Sequence, residues 1–193
     1  MDKVMTIILS GDHGAGKSTL ASEIITAFNW VMIIPQYTSR KPRNDGQETE
    51  NYFVSIKEVE KCDIVGEYID GDGSHFKMGY KLSEIKYALS QGCFPLLIGH
   101  KALIRQLREI LPKESTLEIF LKCNKSIAVE KIMESGLSTL EKAKSRLERG
   151  WIPEIDISYT DFVITNGYND ATKRMVLEII GSIHSVNLST SSL

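Results

Sequence analysis

Near the start of the chain, Gly11-Asp12-His13-Gly14-Ala15-Gly16-Lys17-Ser18 satisfies the pattern GxxxxGK[ST] in full. Each part of it has a physical use. Glycines let successive backbone N–H groups turn inward around phosphate oxygens, and the helix that follows adds the positive end of its dipole. A lysine at position 17 reaches β- and γ-phosphates, and a serine hydroxyl at position 18 is placed to bind Mg²⁺. The expected ATP-binding set is Gly11, Asp12, His13, Gly14, Ala15, Gly16, Lys17, Ser18 and Thr19, with Ser18 as the metal ligand.

A second concentration of charge follows at Thr38-Ser39-Arg40-Lys41-Pro42-Arg43. Two arginines three apart beside a turn, with the Tyr52 hydroxyl nine residues after Arg43, form a grip for a phosphate monoester dianion. Guanidinium forks bind phosphate bidentately, and a phenol donates one directed hydrogen bond.

These residues need elements to hold them. Val4 to Leu9 is a continuous apolar run ending at Ser10-Gly11, which reads as a buried parallel strand. Apolar positions recur at helical spacing from Lys17 to Phe28. Further strands are expected at Val31–Ile34, Phe94–Ile98, Leu117–Cys123 and Asp161–Thr165. Helices are expected at Ala102–Leu111, Ile127–Glu134, Thr139–Arg149 and Ala171–Ser185. Strand and helix in repeated order imply an α/β fold, a central parallel sheet covered on both faces by right-handed crossovers. The stretch from 36 to 91 breaks that rhythm with short β-like pieces (Tyr52–Ser55, Val65–Asp70) and a helix from Ser83 to Ser90, and reads as an inserted subdomain. Asn187 to Leu193 is expected to fray.

Composition limits the function classes. The chain has 193 residues, 42% hydrophobic and 25% charged, which suits one globular domain and excludes a disordered or fibrous chain. A formal net charge of -2 offers no general attraction to nucleic acid or an anionic membrane. The apolar runs are far short of the ~20 residues a membrane span needs. The first residues run straight into a strand-like segment with no signal-peptide pattern. Three cysteines about 30 residues apart (Cys62, Cys93, Cys123) show no metal-type pairing. The expectation is a cytoplasmic protein, monomer or homodimer, with a small phosphorylated partner and neither nucleic acid nor membrane.

Taken together, Ser10 to Ser18, Thr38 to Arg43, Asn51 to Ser55 and Tyr159 to Asn166 resemble guanylate kinase, and the order of elements follows that family from about Val4 to Ile180. The resemblance implies the P-loop NTPase three-layer fold. Its core would comprise about 1–35, 92–124 and 150–186, with an acceptor-binding insert at 36–91 and a lid at 125–149. It also implies roles. Arg40, Arg43 and Tyr52 would hold the acceptor phosphate, Arg146 would stabilise the transferring phosphate together with Lys17, and Asn166 would sit near the donor base.

Departures from the family pattern concern the acceptor. Gln36 stands where a guanine-contacting serine is usual, and Met78-Gly79-Tyr80 replaces Tyr-Gly-Ser/Thr. Ile98 to Leu103 lacks the two aspartates of the family's motif, and Lys131 and Ser135 stand where lid arginines are expected. Glu67 matches the guanine-binding glutamate, and Tyr80 is the candidate to recover a lost hydroxyl. The phosphate grip thus reads as intact and the guanine reader as rebuilt or lost, with a shallow preference among monophosphates, or a non-purine acceptor, expected. The leading expectation is an ATP- and Mg²⁺-dependent phosphotransferase acting on a nucleoside monophosphate, GMP first. The alternatives are a kinase of a sugar phosphate such as ribose 1,5-bisphosphate, and a non-catalytic nucleotide-binding or interaction module.

Overall fold

The apolar run before the glycine-rich loop forms β1 (Thr6–Gly11), buried along its whole length. The computed structural model describes residues 6–42, 50–69, 73–99, 101–134, 139–150 and 160–189. After β1 come α1 (Lys17–Ala27), β2 (Val31–Ile33), β3 (Gln36–Thr38), β4 (Asn51–Phe53), α2 (Ile56–Val59), β5 (Ile64–Ile69), β6 (His75–Tyr80) and α3 (Leu82–Ser90). The second half holds β7 (Phe94–Ile98), α4 (Lys101–Ile110), β8 (Thr116–Lys122), α5 (Lys125–Glu134), α6 (Leu140–Gly150), β9 (Phe162–Thr165) and α7 (Asp170–Ser189).

Five strands form a parallel sheet in the order β2-β7-β1-β8-β9. Successive side chains on a strand face opposite ways, so both faces of this sheet need covers. Ile7 and Leu9 of β1 join a cluster with α1, α6 and α7 through Leu20, Ile24, Leu147 and Val176. Ile8, between them, joins a second cluster with Leu97, Leu103 and Leu107. Ile85 of α3 and Ile64, Met78 and Tyr80 of a smaller sheet complete that second cluster. The smaller sheet runs β4-β3-β6-β5, with β6 antiparallel to both neighbours. The α/β architecture therefore agrees with the sequence pattern, a sheet between two layers.

Several boundaries move for physical reasons. β1 continues to Gly11 because Ser10 and Gly11 stay in register with Phe120 and Leu121 of β8. β3 and β6 are too short or too mixed in polarity to announce themselves in sequence, and pairing with each other makes them strands. Of the tail expected to fray, Asn187 to Ser189 continue α7, and residues 190–193 lie outside the described residues. No helix among the described residues is long and apolar enough to cross a membrane.

A buried ion pair braces the strand that leads into the loop. Glu118, 2% exposed in the middle of β8, accepts from Arg108 Nε at 2.8 Å and from the Ser10 hydroxyl at 3.0 Å. Removing one partner of such a pair strands a buried charge and typically costs 3–5 kcal/mol, whereas an apolar replacement of both is often neutral. Arg108→Met should therefore lower unfolding stability by about 3 kcal/mol in urea titration. Adding Glu118→Met should return much of the loss; a double variant as unstable as the sum of the singles would contradict this role.

Candidate active site

The glycine-rich loop sits at the C-terminal edge of the parallel sheet, where β1 turns into α1. Gly11 has φ 144°, and a Cβ there would lie 2.2 Å from the Leu121 carbonyl oxygen, so only glycine lets β1 approach β8 this closely. At Gly16, φ is 78°, and an added Cβ would meet Asn166 Nδ2 at 2.9 Å. Gly16 caps α1 without a side-chain hydrogen bond, and the first turn carries no acidic residue. The amides of that turn are thus left for an anion.

Lys17 is 7% exposed. Its Nζ donates to the Gly11 carbonyl at 2.9 Å and the Asp12 carbonyl at 2.8 Å. Ser18 and Thr19 are exposed at the cavity wall. His13, Gly14, Ala15 and Gly16 also line the cavity. Gly11 and Asp12 are not among its lining residues. The Asp12 carboxylate is turned inward, 2% exposed, and accepts from the Cys123 amide at 3.3 Å. Both residues shape the loop and hold Lys17. Asn166 is likewise a support. Its Nδ2 donates to the Ala15 carbonyl at 2.8 Å and its Oδ1 accepts from the Tyr168 amide at 2.8 Å, while its edge still lines the cavity. The Cys123 thiol donates weakly to the His13 carbonyl, and burial pushes its pKa up to about 11, so it stays protonated and unreactive.

One cavity of about 580 Å³ joins this loop to the smaller sheet. On the smaller-sheet side it is lined by Gln36, Arg40 and Tyr80. Their orientations differ from expectation, however. The Tyr80 hydroxyl donates to the Ile98 carbonyl and accepts from the Ile98 amide, both at 3.0 Å. Gln36 Nε2 donates to the same carbonyl at 3.3 Å. Complete burial raises the Tyr80 phenol pKa well above its ordinary value, and with both hydrogen-bonding capacities engaged it holds the end of β7. The Arg40 guanidinium lies 5.4 Å from the centre of the Phe53 ring and donates to the Lys41 carbonyl at 2.9 Å.

Two expected acceptor residues face elsewhere. Tyr52 is 47% exposed and packs edge-on against Tyr37 at 5.2 Å, outside the cavity, whereas its neighbour Asn51 lines it. Glu67 pairs with Lys77 at 3.2 Å on the opposite side of β5 from Tyr68, which does line the cavity. Strand alternation explains both corrections, since a one-residue offset exchanges the faces. Arg43 lies outside the described residues; Arg146 falls within α6, with its side chain outside the described set. Residues that the sequence reading did not assign also line the cavity, namely Glu50, Asn51, Tyr68 and Met78 at the far end and Tyr168 at the near end. Alternation in β4 and β5 was the signal that could have found Asn51 and Tyr68.

A phosphate-binding loop opening a helix at the edge of a parallel sheet, with an arginine just beyond β3 lining the same cavity, is the arrangement of a P-loop phosphotransferase. The family model described as guanylate kinase matches residues 3–182, and the chain belongs to the guanylate kinase family, a group of nucleoside-monophosphate kinases. It is 28% identical to a guanylate kinase of Prochlorococcus marinus (strain MIT 9312) over 179 residues, 90% of this chain and 95% of that one. It is also 28% identical to a guanylate kinase of Fusobacterium nucleatum over 174 residues, covering 88% and 92% of the two chains. The crystal structure of guanylate kinase from Anaplasma phagocytophilum superposes with a TM-score of 0.64 at 17% identity, over 94% of this chain and 88% of that one, which shows a shared fold.

The Tyr80 geometry separates support from recognition. Tyr80→Phe leaves the buried Ile98 amide unpaired and should lower stability by about 1–3 kcal/mol. Once folded, it should change acceptor KM less than twofold. Tyr52→Phe should leave both stability and acceptor KM unchanged. A tenfold rise in acceptor KM in either variant, measured by steady-state kinetics, would return that hydroxyl to the acceptor site.

Proposed function

We propose that this chain transfers the γ-phosphate of ATP to the phosphate of GMP, with Ser18 as the residue that would hold Mg²⁺. The observation that carries the reading is the single cavity shared by Lys17, Ser18, Arg40 and Gln36. The relatives named guanylate kinase support GMP as acceptor. The division into a nucleotide core, an acceptor-binding insert and a lid belongs to the same proposal. Free Cys62, Cys93 and Cys123 support a reducing cytoplasmic setting.

The chain's part in the reaction is positioning and charge neutralisation. Lys17 exchanges its two carbonyl partners for β- and γ-phosphate oxygens. Arg40, with Arg43 three positions on in the sequence, holds the acceptor phosphate so that its oxygen lies in line with the γ-phosphorus. A new O–P bond forms there as the bond to the β-γ bridging oxygen breaks, and ADP carries the charge away. Arg146 adds positive charge as α6 closes. The Ser18 hydroxyl is a hard oxygen donor beside the phosphate positions, which suits an ion that keeps several waters and takes few protein ligands. Mg²⁺ supplies Lewis-acid neutralisation of the phosphate oxygens.

At the acceptor end, Gln36 and Glu50 are the polar side chains beside Tyr80 that face the cavity. Glu50 provides a carboxylate for guanine N–H groups, in place of the aspartates missing after β7. A site built on such hydrogen bonds rejects a base lacking them far more steeply than shape alone does.

Two experiments test this. Incubation with ATP-Mg²⁺ and a panel of GMP, AMP, UMP, CMP and ribose 1,5-bisphosphate should yield ADP with GMP above all others; turnover of ribose bisphosphate in preference would overturn the acceptor. Lys17→Ala should lower kcat by ~10² to 10³. Glu50→Gln should narrow the GMP-to-AMP ratio of kcat/KM by roughly tenfold, and an unchanged ratio would remove Glu50 from base reading.

A further inference from the structure

Gln106 stands one turn after Leu103 on α4, beside Leu107; both leucines are fully buried in one cluster with Ile64 of β5. An amide next to so apolar a face needs polar partners, and it finds two on a single residue. Its Oε1 accepts from the Val65 amide at 3.2 Å, and its Nε2 donates to the Val65 carbonyl at 2.6 Å. The N–H and C=O of one residue in an antiparallel strand point to the same side. At Val65 that side is the open one, since β5 ends the smaller sheet and its only strand neighbour is β6. The glutamine side chain therefore supplies one rung of a strand that is not there. An amide suits the place because it donates and accepts at once, which a carboxylate or an ammonium does not.

The place of β5 matters because of what it carries. Tyr68 is paired with Phe76 of β6, the ring centres 5.5 Å apart and 21° from parallel, and both rings line the cavity. The ladder ties β5 to β6 but does not tie the outer edge of the sheet to the core. The anchors at Ile98 come from Gln36 of β3 and Tyr80 of β6, further in. Apolar packing between β5 and α4 holds the two together without direction. Gln106 adds the directed tie at that edge. We propose that Gln106 is a positioning residue for the acceptor, holding the outer edge of the smaller sheet to α4 and so setting where Tyr68 and Phe76 stand in the cavity wall. This rests on the reading above, in which the smaller-sheet side takes the acceptor. Gln106 itself is not among the residues lining the cavity, and its effect passes through Tyr68.

Gln106→Met keeps the length of the side chain and removes both bonds. Gln106→Glu keeps the length and one acceptor but sets a carboxylate oxygen against the Val65 carbonyl. Either variant serves alone if the other does not fold, which thermal denaturation checks first. In steady-state kinetics with GMP and ATP-Mg²⁺, each should raise the KM for GMP roughly fivefold or more and the KM for ATP less than twofold. Hydrogen exchange at the Val65 amide should quicken by roughly tenfold or more. Tyr68→Leu should also raise the KM for GMP, and adding Gln106→Met to it should raise it less than twofold further, since both changes act on one contact. A KM for GMP within twofold of wild type, equal rises for GMP and ATP, or rises that multiply in the double variant would make the amide a brace for stability only and overturn the proposal. A wild-type chain that does not phosphorylate GMP would overturn the acceptor reading and this inference together. Wild-type turnover of GMP beside unaffected Gln106 variants would overturn this inference alone.

Discussion

The contact between the ends of β1 and β8 sets the position of nearly everything that could do chemistry here. Gly11 lies so close to the Leu121 main chain that no side chain could be accommodated. That contact keeps Ser10 and Gly11 in the ladder and fixes where the chain leaves the sheet. From there the loop turns under its own constraints. Lys17 folds back onto the carbonyls of Gly11 and Asp12, the Asp12 carboxylate reaches the amide of Cys123 just beyond β8, and Asn166 reaches in from the end of β9 to hold Ala15. The glycine-rich loop is therefore held by groups from three neighbouring strands or their ends. Preorganisation of this kind lowers the cost of gathering charge around a phosphate.

The smaller sheet depends on a second anchor, the main chain of Ile98. Tyr80 and Gln36, from different strands of the smaller sheet, both bond to it. Ile98 lies opposite Leu9 in the register of β7 and β1, so this anchor ties the smaller sheet to the strand that carries the loop. The arrangement uses polar groups for alignment that sequence reading would assign to substrate. It leaves the lining at that end dominated by Ile34, Tyr68, Phe76 and Met78, with Gln36, Glu50, Asn51 and Arg40 as the polar exceptions.

What the sequence determined by itself was the part governed by local backbone chemistry. A loop that must turn N–H groups inward needs glycines at set spacing, a lysine and a hydroxyl at the following helix start, and an apolar strand before it. All of these are contiguous from Val4 to Ser18 and legible without a fold. The same holds for the long parallel strands, whose largely apolar runs reflect burial on both faces. Only the tertiary structure decided which way the short strands of the smaller sheet face. In a three-residue strand such as Asn51–Phe53, a shift of one residue exchanges Asn51 for Tyr52 in the cavity, and no local preference resists it. Packing against β3 and Tyr37 settles the matter there, as pairing with Lys77 does for Glu67. Tyr80 and Asn166 were visible in sequence as polar residues near the site, but their partners lie 18 and 151 residues away. Whether such a side chain meets a ligand or the protein's own main chain is fixed by long-range packing, and that information exists only once the chain has folded.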